Sequence, residues 1–218
     1  QFKDPRGVNY TTILASNGAV LNFHYDTKGN VRPWDKTLYI KVIDGFLGEG
    51  DTITITFGET SGGSPGMRLQ TFCEDSYEFH TLIDPIATFC YQPVQKQPQI
   101  KIIPGKPFRY LAISPTICEV GERFSIRVKG EDLWGNPSDQ CTETFFLKST
   151  IKINNLPESI TLNKGDFTYT IKNLFLSISG DFYVRFYDSA GALRFETNPA
   201  RAENTPNFKY YWADLHGQ

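Results

Sequence analysis

The apolar positions of this chain recur mostly with a period of two, and almost nowhere with the spacing of an amphipathic helix. The cleanest stretch is Thr52 to Phe57, where Thr52, Thr54 and Thr56 face one way and Ile53, Ile55 and Phe57 the other, as a half-buried strand requires. Upstream, Tyr10 to Leu14 runs into Ser16-Asn17-Gly18 and then Val20, Leu21, Phe23 and Tyr25, which predicts a hairpin. Turn residues from Asp26 to Asn30 follow, and Leu38 to Ile43 is the next expected strand.

A glycine-rich stretch, GETSGGSPG from Gly58 to Gly66, then interrupts the alternation. It admits two descriptions: a solvent-exposed connection, or a loop whose glycines let the backbone pass close to another group. Strands resume from Met67 to Tyr91 with dense aromatics (Phe72, Tyr77, Phe79, Phe89, Tyr91), broken by a turn at Asp84-Pro85. A Pro- and Gln-rich patch from Gln92 to Pro98, and Pro104-Gly105-Lys106-Pro107 after it, bracket a short strand. The domain boundary is placed here, since proline stiffens a linker without continuing a sheet.

Beyond it, Phe108, Tyr110 and Ala112 make an entering strand, and Phe124, Ile126 and Val128 alternate with Ser125, Arg127 and Lys129. Glu131-Asp132-Leu133-Trp134-Gly135-Asn136-Pro137 then leaves the strand, either as an ordinary turn over a packed tryptophan or in the manner of many bacterial immunoglobulin-like modules. Gly180 to Tyr187 reads as one strong late strand whose start resembles a tyrosine corner, and Asp188-Ser189-Ala190-Gly191 closes a hairpin into Leu193 and Phe195. The expected fold is all-β, with two β-sandwich domains in tandem: an irregular one over 1–104 and an immunoglobulin-like one over 105–205. Residues 206–218 are expected to be a linker and the first strand of a further domain.

Composition narrows the function classes. The 218 residues carry a net charge of −2, with 9 basic against 11 acidic residues up to Pro104 and 13 against 13 after it. Neither half has the basic excess that a phosphate backbone demands, so nucleic acid is not an expected partner. No run approaches the length of a membrane span in this region. The cysteines fall two per half: Cys73 with Cys90 and Cys118 with Cys141 would suit one bridge each, and free thiols packed among apolar strands are the alternative. The only methionine is Met67 and the chain opens Gln-Phe-Lys, so a piece of a longer protein is expected, with a periplasmic or extracellular location favoured over a cytoplasmic one. Asn9-Tyr10-Thr11 fits a glycosylation acceptor, a pattern short enough to recur by chance.

Candidate chemistry concentrates at the end. Asp214-Leu215-His216 places two metal-compatible side chains on one side of a strand. Several motifs share one order along the chain: Asp4-Pro5, Asn9-Tyr10, Ser61 to Arg68, Gln70-Thr71-Phe72, Asp84-Pro85, Asp132 to Pro137, Thr197-Asn198-Pro199 and Trp212 to Gln218. In these the chain resembles the N-terminal region of a bacterial domain-of-unknown-function family. Its members continue into a metal-dependent domain similar to the polymerase and histidinol phosphatase (PHP) superfamily.

That resemblance implies that His216 is a metal ligand and Asp214 a supporting carboxylate, within a site incomplete in this region. It also implies a divalent metal for the whole protein and no cofactor or catalytic residue for these residues alone. Gln218 stands where a second histidine is expected, and an amide oxygen is a poor zinc ligand. On this reading the chain is a non-catalytic module that positions, shields or assembles a phosphoesterase-like hydrolase, with that C-terminal domain and a second copy of the chain as partners. The alternative is a carbohydrate-binding, other ligand-binding or adhesion module outside the cell, using aromatic residues near the loop 58–66, with a glycan as partner. Exposed aromatics would favour the alternative and buried ones the first reading. An enzyme within these residues is the weakest reading: no G-x-S-x-G or P-loop occurs, and His24, His80 and His216 are dispersed.

Overall fold

Alternation of the kind just described can only be satisfied by strands, and in the computed structural model, which describes residues 2–211, every regular element is one. The fold is all-β. The chain forms two units: Gln1–Gln70 with Ser76–Ile100, and Thr71–Asp75 with the chain from Lys101 onward.

The first unit contains β1 (Thr11–Ala15), β2 (Val20–Asp26), β3 (Thr37–Asp44) and β4 (Ile53–Phe57). After these come β5 (Glu74–Glu78), β6 (Leu82–Ile83), β7 (Gln92–Pro93) and β8 (Gln99–Ile102), of which β5 and β8 each run across the division between the units. Each strand pairs with one other only, as β1 with β4, β2 with β3, β5 with β8 and β6 with β7. The hairpin expected across Ser16-Asn17-Gly18 is therefore not formed. The Asn17 amide is diverted to the 46–51 loop, donating to the Phe46 carbonyl at 2.7 Å and the Asp51 carboxylate at 2.8 Å. This turn thus serves a crossing between two ladders.

Within β2 and β3 the pattern is kept: Leu21, Phe23 and Tyr25 lie opposite Val42, Ile40 and Leu38, and the β2 members of this face are less exposed than Asn22, His24 and Asp26 on the other. Coverage is partial throughout. Ile53 and Ile55 remain 38% and 37% exposed, and the only buried residues of this unit among those described are Thr11 and Ser64. Two-stranded ladders remove little apolar surface from water.

The second unit is a sandwich of the immunoglobulin-like kind. Its strands are β9 (Arg109–Ile113), β10 (Ile117–Glu119), β11 (Phe124–Glu131), β12 (Pro137–Ser138), β13 (Thr144–Ser149) and β14 (Ile153–Asn154). They continue as β15 (Ser159–Thr161), β16 (Tyr169–Leu176), β17 (Gly180–Phe182), β18 (Val184–Tyr187), β19 (Leu193–Glu196) and β20 (Ala200–Glu203). One sheet runs β12-β11-β16-β14 with β9 also on β11, the other runs β15-β13-β18-β19, and β20 joins β17 to β10. The entering chain is shared between layers: β9 pairs antiparallel with β11, and β10 pairs parallel with the last strand.

Phe124, Ile126 and Val128 point inward as their spacing requires, into one core with Leu174 of the neighbouring β16 and with Phe145, Phe182, Val184 and Phe186 of β13, β17 and β18. Phe186 stacks on Phe195 with centroids 4.4 Å apart, and Phe145 meets the same ring edge-on at 4.9 Å. The late strand expected as one piece is two: at Tyr183 the chain leaves β20 for β13 and β19. No tyrosine corner forms there. The Tyr183 hydroxyl has no hydrogen bond among the described residues, and its ring faces the Arg185 guanidinium at 5.6 Å. All cysteines are free thiols, with Cys118 and Cys141 buried in the core. Burial pushes the Cys118 thiol up to about 11.

At the end of β11, Glu131 is buried yet charged. It accepts from Arg109 Nε at 2.8 Å and lies 2.6 Å from Arg109 Nη2 and 2.7 Å from Lys129 Nζ. Burial pushes its carboxyl up, and the bonds from Lys129 and Arg109 outweigh that, leaving it below the usual carboxylate range. A carboxyl depressed on folding stabilises the fold above its unfolded value, and that stability is lost as pH falls through the folded one. Urea midpoints for this unit should therefore drop as pH falls below about 4. Glu131→Gln should cost about 1–2 kcal/mol at neutral pH and flatten the acid slope. The two units should also respond unequally to truncation: Phe186→Ala should cost about 3–5 kcal/mol, and Ile55→Ala roughly 1 kcal/mol. Denaturant unfolding followed by hydrogen exchange would resolve the two units.

Candidate binding groove in the N-terminal unit

Three segments of the first unit meet around one carboxylate. Asp51 Oδ2 accepts from the Asn17 amide and from the Gly48 backbone, each at 2.8 Å, while Oδ1 takes a longer bond from the Ser16 hydroxyl at 3.4 Å. Ser16 in turn accepts from the Thr52 backbone at 2.9 Å, so the start of β4 is tied to the same cluster. Asn17 closes its own turn by accepting from Ala19 N at 3.0 Å, the side-chain mimicry of a backbone turn that favours asparagine here. Gly18 and Gly45 carry φ of +83° and +78°, and a methyl group on Gly45 would press on Ala19. A side chain there would be strained in conformation and crowded in space.

The result is a shallow groove of about 380 Å³ lined by Asn17, Gly18, Ala19, Asp44, Gly45 and Phe46. Phe46 stands in it 79% exposed, while its carbonyl is pinned by Asn17. The ring is therefore presented on an ordered backbone. The Asp44 carboxylate has no hydrogen-bond or ion-pair partner among the described residues, and Asp51 Oδ1 carries only the long Ser16 bond. The groove thus offers an aromatic face beside acceptors, and the Asp44 carboxylate in its lining, with Asp51 behind Asn17, makes it unsuited to anions.

The residues singled out from sequence fall elsewhere. Asp214 and His216 lie outside the described residues. His24 stacks on Tyr39 at 4.8 Å, and His80 packs against Trp34 at 4.6 Å with Nδ1 3.7 Å from the Glu78 carboxylate. The loop 58–66 does pass close to something: the chain's own start. Ser64 donates to the Gly7 carbonyl at 2.7 Å, Asn9 N donates to the Gly66 carbonyl at 2.9 Å, and a Cβ on Gly62 would lie 2.6 Å from Pro5. Its glycines serve an internal clasp.

The Asp132 motif is an ordinary turn, without the packed tryptophan. Its carboxylate accepts from Trp134 N, Asn136 N, Gly105 N and the Asn136 amide, while Trp134 itself is 60% exposed. Asn136 also donates to the Thr71 carbonyl and accepts from Cys73 N, holding the 71–75 segment to its own unit. Sequence reasoning missed Asp44, Phe46 and Asp51. The available signal was a second glycine-rich stretch, Gly45-Phe46-Leu47-Gly48-Glu49-Gly50.

No family model matches the chain, and no curated protein matches it. Among solved structures it is similar to the D0-D1 domain of Intimin, at TM-score 0.33 and 8% identity over 92% of this chain and 95% of that one. It is also similar to the D00-D0 domain of Intimin, at TM-score 0.34 and 11% identity over 92% and 96%. A third is the Yersinia pseudotuberculosis adhesin InvE, at TM-score 0.35 and 11% identity over 90% of this chain and 56% of that one.

The bond pattern makes the groove depend on Asn17. Replacing it by alanine should free the 46–51 loop, seen as faster amide exchange across Gly45 to Asp51, with a stability cost of about 1 kcal/mol.

Proposed function

We propose that this chain is a non-catalytic β-sandwich module that binds an extracellular ligand, of the glycan-binding or adhesion type, through the first unit. The observation that carries this is the presentation of Phe46: a large apolar ring left in water on a backbone held by Asn17, next to the unpartnered carboxylate of Asp44. A sugar ring has an apolar C–H face and a rim of hydroxyl donors. The first suits the negative face of an aromatic ring and the second suits carboxylate oxygens. The exposed side chains of this unit, Trp34, Phe46, Phe89 and Tyr91 among them, support binding over a purely internal packing role. The closed clasp at 58–66 moves the contact from that loop to the groove.

A glycan array probed with the whole chain tests this. Neutral saccharides should be retained, and Phe46→Ala and Asp44→Asn should each weaken retention about tenfold or more, with thermal unfolding unchanged because both side chains face solvent. Absence of retention above background across the array, or retention indifferent to both changes, would sink the proposal.

A further inference from the structure

The chain contains one Asn-Gly step, Asn17-Gly18, and one Asp-Gly step, Asp44-Gly45, and both line the groove. In such steps the backbone nitrogen of the glycine can attack the side-chain carbonyl carbon before it, because no β-carbon blocks the approach. Both steps are exposed. At Gly18 nothing lies within 4 Å of where a β-carbon would stand, and its N–H makes only a long bond to the Ala15 carbonyl, at 3.3 Å.

Asn17 is also the residue that ties the groove together. Its Nδ2 donates to the Phe46 carbonyl at 2.7 Å and to Asp51 Oδ2 at 2.8 Å, while Oδ1 accepts from Ala19 N at 3.0 Å. Three bonds fix the plane of this amide, so a rotation that turns Cγ toward the Gly18 nitrogen breaks the bonds to the 46–51 loop first. The amide that closes the groove is thereby protected by it. Asp44 lacks such bonds, but its carboxylate, charged at neutral pH, is a poor electrophile, so Asn17 is the step that reacts first.

We infer that Asn17 is a self-modification site, at which deamidation opens the groove irreversibly. The Gly18 nitrogen, its proton lost to solvent base, bonds to Asn17 Cγ; the Cγ–Nδ2 bond breaks, and ammonia leaves with a proton taken from water. The ring formed is a succinimide. Water then adds to either of its carbonyls and opens it, to aspartate or to isoaspartate, with nothing oxidised or reduced. The product carries a carboxylate where an NH2 group stood, against the Phe46 carbonyl and the Asp51 carboxylate. Both acceptors lose their donor, and two like charges at hydrogen-bond distance repel. The 46–51 loop is released, and with it the fixed backbone under Phe46. That this release ends ligand contact rests on the groove being the binding site; the chemistry and the release do not.

The experiment is ageing of the whole chain in warm, mildly alkaline buffer, with and without urea, followed by peptide mass spectrometry and amide exchange. Asn17 should convert ahead of every other asparagine, giving separable aspartate and isoaspartate peptides. Conversion should be about tenfold or more slower in the folded chain than in urea, the factor being set by the cost of opening the loop. Asp51→Ala should speed conversion several-fold in the folded chain and leave the rate in urea unchanged. Gly45→Ala, which crowds Ala19 and strains the loop, makes the same test if Asp51→Ala also loosens β2 and β3. The aged chain and Asn17→Asp should both exchange faster from Gly45 to Asp51, with the C-terminal unit unaltered. A folded chain that keeps Asn17 intact while the unfolded one converts, or another asparagine reacting first, would overturn the inference. So would a folded rate equal to that in urea or indifferent to both variants, or a converted chain whose loop exchanges as before. Glycan retention is read on the unaged chain and its Phe46→Ala variant, so either proposal can fail alone.

Discussion

The C-terminal unit rests on the closure of two sheets over Phe145, Phe182 and Phe186, all fully buried. Burial of such rings is the largest favourable contribution a small sandwich has, and strand spacing there is dictated by it. Phe124, Ile126 and Val128 on β11 and Val184 and Phe186 on β18 alternate because only alternate positions can reach this interior. Polar groups that the packing traps are matched nearby: Glu131 by two cations, and Asp132 by backbone donors. The Tyr110 hydroxyl is the one buried side-chain atom among the described residues left without such a partner.

The N-terminal unit is organised on a different principle. Its order comes from side chains that reach across loops, with Asp51 and Asn17 at one place, Asp84 at another and Ser64 at a third. Hydrogen bonds contribute less per group than ring burial, but they fix backbone direction, and direction is what a recognition surface needs. Strands paired only two by two leave apolar groups half in water. Display and burial are thus divided between the units.

How much of this was legible in the chain follows from which forces act locally. Period-two patterning reveals strands, so β4 and β11 were readable from Thr52 to Phe57 and Phe124 to Val128. The inward face was readable on β11 and not on β4, where Ile53 and Ile55 stay exposed. The break of the late strand at Tyr183 was not readable, and neither was pairing. Ser16-Asn17-Gly18 has hairpin chemistry, yet Asn17 is claimed by Asp51, thirty-four positions along the chain, and no local rule reports so distant a partner. The glycine loop at 58–66 was readable as a close approach but not as an approach to Pro5. Phe46 escaped notice because exposure of one aromatic depends on what fails to cover it. Asp214 and His216 lie beyond the described residues.

One consequence follows from β10 and β20, which run parallel, with Ile117 to Glu119 beside Arg201 to Glu203. Tension entering through β10 and leaving through β20 would draw the strands lengthwise past each other, loading their cross-links together instead of one at a time as in an unzipping hairpin. Such a seam yields abruptly and late, and resistance to it is set by the barrier to rupture more than by equilibrium stability. A tether that must stay closed under drag would be well served by it.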